Sequence, residues 1–98
     1  MTSLVLERDP LAISVKVVDE RLVVELDDGR SLSVPLEWYP RLAHATPAER
    51  DNWIFWGNGY AIEWPDVDDH ISIEGLLAGR RSGESPASFE RWLATRTR

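Results

Sequence analysis

The sequence contains no cysteine, which excludes disulfides, thiolate metal sites and cysteine-nucleophile chemistry. Long apolar runs are missing as well. The opening MTSLVLERDP has one short apolar stretch before Glu7, Arg8 and Asp9, too brief and wrongly charged for a secretory signal, and nothing later reaches membrane-spanning length. A cytoplasmic location is the resulting expectation. There is no glycine-rich phosphate loop after a strand, no nucleophile elbow and no HExxH helix, so the common phosphate-binding, hydrolase and zinc-protease signatures are absent. No internal repeat or low-complexity segment occurs.

What is present is ordinary globular material, with 43% hydrophobic and 29% charged residues in 98. That length bounds the chain to a single domain, 1–98. Net charge is −6, but it is divided unevenly: residues 1–79 carry six Lys/Arg against fifteen Asp/Glu, and residues 80–98 carry five Arg against two Glu. An acidic body disfavours direct nucleic-acid binding, which draws on phosphate neutralisation. The basic tail is expected either to meet an anionic partner or to fold back on the body.

Residues 12–19, AISVKVVD, alternate with Ile13, Val15 and Val17 on one face, the period-two pattern of a half-buried strand. RLVVELD repeats it with Leu22, Val24 and Leu26, and Asp19-Glu20 between them is short enough for a hairpin. Asp28-Gly29 reads as a second tight turn, and RSLSV as a third strand with Leu32 and Val34 inward. VPLEWYPRL then ends the strand in a bend that lays Trp38 and Tyr39 over the sheet, because Pro35 and Pro40 each remove a ladder donor.

TPAERDNW (46–53) carries a helix start: Thr46 as N-cap, Pro47 at the first position and Glu49 at the third to close a capping box. IFWGNGYAIEW reads as two strands around Gly57-Asn58-Gly59, a hairpin expected to extend the same sheet. AIEWPDVDDH leaves that sheet through an acid-rich turn. In ISIEGLLAG, Ser72 caps a short helix, Ile71 and Leu76 occupy staple positions, and Gly79 suits its left-handed end. A basic C-terminal helix over 85–96 presents Phe89, Trp92 and Leu93 on one face, which can dock on the body or on a second copy to form a homodimer. The expected fold class is α+β: a small, mainly antiparallel sheet of about five short strands with two or three short helices.

Taken together, DGRSLSVPLEWYPRL (28–42), ATPAERDNW (45–53), GNGYAIEWPD (57–66) and ISIEGLLAGR (71–80) resemble a small bacterial domain-of-unknown-function family, number twenty-four forty-two, over residues 12–81. The resemblance implies a small α+β domain with a mainly antiparallel sheet and no attached enzyme activity. It also implies gene arrangements that look like toxin–antitoxin pairs, and in longer members a following helix-turn-helix region that this chain does not show. The chain departs from the pattern at Ala61-Ile62-Glu63, where the family often has Gly-Ile-His, and at His70, where it often has an acid. A metal or catalytic role resting on that first histidine does not transfer.

The chemistry-bearing candidates are aromatic and acidic. Phe55 and Trp56 are adjacent on one strand and so face opposite ways, which places one of them under a helix or at an interface. An exposed Trp56 beside Arg41 or Arg50 would mark a docking patch, since interfaces favour tryptophan and arginine. Glu63, Asp66, Asp68, Asp69 and Glu74 could offer carboxylates to a basic partner. The same acids lack EF-hand spacing, and turn chemistry accounts for them without a metal. His44, at the start of the TPAER helix, reads as a surface or capping residue.

The leading expectation is a non-enzymatic protein-interaction module, antitoxin-like, partnered by a small adjacent-gene protein, with no catalytic, cofactor or metal residues and no membrane contact. An acidic inhibitor that mimics nucleic acid on a basic protein complex ranks second, and a metal-dependent enzyme third.

Overall fold

In the computed structural model, which describes residues 9–96, β1 (Ala12–Val18), β2 (Arg21–Leu26) and β3 (Ser31–Pro35) form an antiparallel sheet in the order β1-β2-β3. Alternation fixes its inner face, with Leu22, Val24 and Leu26 buried from β2. Asp19 and Glu20 both adopt positive φ, 51° and 62°, the mirror-image turn geometry that matches strand twist in a two-residue hairpin. One sequence expectation fails here. The register of β1 shifts between Ala12 and Ser14, so a bulge turns Ala12 inward and leaves Ile13 60% exposed. An extra residue reverses the inside–outside parity on one side of it, which alternation alone does not reveal.

The expected extension of this sheet is also corrected. β4 (Ile54–Trp56), β5 (Ala61–Trp64) and β6 (Asp69–Ser72) pair antiparallel as a second sheet, in the order β4-β5-β6. A backbone bond from Ala12 N–H to the Gly59 carbonyl, at 2.8 Å, joins the β4–β5 turn to β1 beside the bulge. At Gly59 φ is 114°, and a Cβ there would lie 2.4 Å from the Ala12 carbonyl oxygen. The contact therefore requires glycine. The strand β6 was not apparent in the sequence, where Asp69 and His70 read as the end of an acidic turn and Ile71 and Ser72 as the start of the following helix.

Between the sheets lies one core, containing Leu22 and Val24 of the first sheet, Ile62 and Trp64 of the second, and Leu36, Leu42, Val67, Ile73 and Leu76 from the connections. Trp64 is fully buried, and its indole N–H donates to the Arg50 carbonyl at 3.1 Å, so its large apolar surface is sequestered without an orphaned donor. Truncation of such a side chain to alanine typically costs about 3–5 kcal/mol.

The connections are short helices with their ends satisfied. The aromatic bend forms a 3-10 turn (Leu36–Trp38) and then α1 (Pro40–Ala43), where the sequence suggested only a bend. In α2 (Pro47–Asp51) the capping box is complete: Glu49 N–H donates to Thr46 Oγ1 and Thr46 N–H to Glu49 Oε1. α3 (Ile73–Leu77) is capped by Ser72 Oγ, which accepts from Gly75 N–H at 2.9 Å. Its other end closes by Arg80 N–H to Gly75 O and Gly79 N–H to Leu76 O, with Gly79 at φ 77°. Among the described residues, no helix is long and apolar enough to cross a membrane.

The last helix, α4 (Pro86–Arg96), folds back on the acidic body. Phe89 meets the His44 ring edge-on at 5.2 Å, and Trp92 packs against the core under the guanidinium groups of Arg41 and Arg96. His44 itself closes α1, its Nδ1 lying 3.0 Å from the Pro40 carbonyl. No α4 residue is fully buried, so charge contributes visibly to docking, through Arg96 on Glu49 at 2.6 Å. That bond, with the Thr46 amide, holds the Glu49 carboxyl down at about 2. Its contribution is present above the unfolded-state value near 4.5 and is lost as pH falls towards 2. Both side chains are partly solvated, which limits the effect to about 1 kcal/mol. Urea titrations of the wild type and Glu49→Gln should differ by about that much at pH 6 and converge near pH 2.

Candidate functional site

The parity of β6 decides what its residues can do. Asp69 pairs with Trp64 and Ile71 with Ile62, so these four belong to the core side of the second sheet, while His70 and Ser72 share the other side with Glu63 and Ala61. The inward end of β6 opens into a cleft of about 450 Å³, walled opposite by residues 80–84. That wall is held by two bonds to the aromatic bend. Tyr39 O–H donates to the Arg80 carbonyl at 2.8 Å, and Ser82 N–H to the Trp38 carbonyl at 3.0 Å. Arg81 lies 4.6 Å over the Trp38 ring.

Arg41 of α1 closes the cleft at one end. Its Nε and Nη2 engage both Glu84 oxygens at 2.5 to 3.1 Å, and Nη1 donates to the Val67 carbonyl at 2.9 Å. Ser88 Oγ adds a 2.7 Å bond to Glu84, tying α4 to the same network. The guanidinium holds the Glu84 carboxyl below its usual range, and Glu84 in turn raises Arg41.

Asp69 sits beside this network and outside it. Its Oδ1 accepts only the adjacent His70 N–H, at 3.0 Å, and among the described residues it forms no ion pair. Burial raises its carboxyl to about 6, against opposing contributions from the His70 amide and the more distant Arg41 charge. Burial, and secondarily the Asp69 charge, also raise the Tyr39 phenol.

The expected site residues are distributed over separate places. Trp56 lies on the outer side of the second sheet, 37% exposed, donating its indole N–H to Glu63 Oε1 at 2.9 Å and stacking on His70 at 5.0 Å. Asp66 is in the 3-10 turn Pro65–Val67, where it accepts from Asn52 Nδ2 at 2.9 Å. Asp68 follows with left-handed backbone, φ 54°, at the cleft rim with Asp69. Glu74 is in the first turn of α3, exposed. Arg41 belongs to the cleft, and Arg50 is structural: it donates to the Leu42 and Ala43 carbonyls at the end of α1. Phe55, opposite in direction to Trp56, packs on Trp53 with ring centres 4.8 Å apart.

Sequence reasoning missed Tyr39, read only as an aromatic laid over the sheet, and the 80–84 wall, to which it gave no role. The signal that could have found the cleft is the inward placement of Asp69, two residues before inward Ile71. Among the described residues no group of three or more histidine or acidic side chains is placed to hold a metal ion.

Because the folded-state value of Asp69 is raised, the protein is favoured where Asp69 is neutral, below about pH 4, and loses that advantage as pH rises through about 6. Asp69→Asn is expected to increase the unfolding free energy by about 1 kcal/mol at pH 7.5, and by nothing measurable near pH 4, in parallel denaturant titrations.

Two solved structures share this fold. A protein of unknown function from Rhodospirillum rubrum ATCC 11170 aligns with a TM-score of 0.67 and 24% identity, covering 82% of this chain and 96% of the other. The uncharacterized protein CV0863 from Chromobacterium violaceum, solved by solution NMR, aligns with a TM-score of 0.65 and 24% identity, covering 90% and 81%. A comparison with curated proteins finds no match. The family model described as protein of unknown function (DUF2442) matches residues 12–82, from the first strand to the cleft wall, and the chain belongs to that family.

Proposed function

We propose that this chain is a non-enzymatic interaction module that binds a basic partner protein through the outer side of its second sheet. The supporting observation is an aromatic cluster left in solvent. Ile54, Trp56 and Tyr60 are 49%, 37% and 54% exposed, with Tyr60 edge-on to Trp56 at 6.5 Å and His70 stacked on it. Trp56 is also held in place by its bond to Glu63, so little rotamer freedom is lost when a partner covers it. The net charge of −6 favours encounter with a cationic surface.

In its specific form the reading is antitoxin-like: a cytoplasmic bacterial module whose partner is a small, basic, adjacent-gene protein, with neither catalysis nor a cofactor involved. A nucleic-acid mimic would need a continuous row of available carboxylates. Here Glu63 is engaged by Trp56, Asp66 by Asn52, and Asp69 points inward, which favours the aromatic-face reading.

Co-expression with the adjacent gene's product should give a complex that co-elutes on size exclusion, with Trp56→Ala weakening it at least tenfold, as expected of a central aromatic anchor. The same variant should keep its own stability within about 1 kcal/mol, since Trp56 is a surface residue. Independent elution of the two proteins contradicts the reading.

A further inference from the structure

We propose that the cleft between β6 and residues 80–84 receives an arginine side chain of the partner, its guanidinium gripped by the Asp69 carboxylate. The identity of the partner rests on the interaction reading above; the chemistry of the cleft does not. Asp69 stands at an inward strand position, half-buried beside buried Trp64 and in line with buried Ile71. Its carboxylate has no counter-ion among the described residues. Arg41, at the end of the cleft, is already committed to both oxygens of Glu84 and to the Val67 carbonyl, and Glu84 is committed to Arg41 and Ser88. A guanidinium entering the cleft would therefore meet one half-buried acceptor that forms no ion pair among the described residues.

The walls suit the rest of an arginine side chain. Tyr39 spends its hydroxyl on the Arg80 carbonyl and so presents only its ring edge and face, and Ile71 supplies a second apolar surface for the aliphatic stem. The volume, about 450 Å³, lies in the range of about 300–1,000 Å³ typical of pockets that enclose small ligands. The lining carries both signs, Arg41, Arg80 and Arg81 with Asp68, Asp69 and Glu84. Arg81 is drawn onto Trp38 and Arg80 lies towards Gly75, whereas Asp68 stands at the rim next to Asp69, so the group that selects a cation at this end of the cleft is the Asp69 carboxylate with Asp68 beside it. Arginine is favoured over lysine because a planar, weakly hydrated fork matches a carboxylate with two parallel bonds and is cheaper to desolvate in a half-closed site.

The test is a titration of the full chain with N-acetyl-arginine-amide, followed by amide shifts in ¹H–¹⁵N spectra, with N-acetyl-citrulline-amide as the neutral isostere and inorganic phosphate as the anion. The expected result is saturable shifts confined to residues 39–41, 68–72 and 80–84 with the arginine compound alone. Asp69→Asn should weaken that binding at least tenfold, and Asp68→Asn should change it by less than about threefold. Equal responses to citrulline, a stronger response to phosphate, no cleft shifts at all, or unchanged binding by Asp69→Asn would each overturn the proposal. Should the partner complex form through Trp56 and ignore Asp69→Asn, the cleft inference fails while the interaction reading stands. Arginine-amide binding without any partner complex gives the reverse.

Discussion

The guanidinium of Arg41 is the constraint on which the cleft depends. It joins α1 to the 3-10 turn after β5 through the Val67 carbonyl, and to the start of α4 through both Glu84 oxygens, while lying 5.2 Å from the centre of the Trp92 ring. No other residue type makes these contacts together: the planar fork supplies donors in several directions and an apolar face at once. By committing its charge to Glu84, Arg41 assembles three chain segments and leaves the neighbouring Asp69 without a direct cation. Structural order and the local electrostatic imbalance thus come from the same group.

The second sheet separates two surfaces by strand parity. Its outer side carries Trp56, Glu63 and His70 in contact with solvent; its inner side carries Ile62, Trp64 and Ile71 into the core, with Asp69 at the first inward position after the turn. The two surfaces meet at His70, which stacks on Trp56 and also lines the cleft.

Much of the fold was legible in the sequence because its signals are local. The alternation in RLVVEL, the Thr46–Glu49 capping box, and the Ser72 and Gly79 ends of α3 each depend on residues within a few positions of one another, and each is present in the structure. What escaped depends on distant partners or on a parity change. The bulge that expels Ile13 goes with the Ala12–Gly59 bond, formed across 47 positions, and the same bond marks where the second sheet meets the first. In β6, DHIS has Asp69 and Ile71 inward and His70 and Ser72 outward, which carries no apolar alternation to read. The cleft wall is held by Tyr39 and Trp38 reaching residues 80–82, a pairing no short window contains. The acidic residues looked like one row because they are close in sequence; strand direction and the intervening turn send them to different places.

Whether Asp69 is a half-buried carboxylate left without an ion pair by Arg41 can be read from its carboxyl carbon, followed by ¹³C NMR from pH 3 to pH 8. The expected midpoint is about 6. A midpoint at or below the ordinary aspartate value of about 3.8 would show that Asp69 is solvated or ion-paired, and would contradict it.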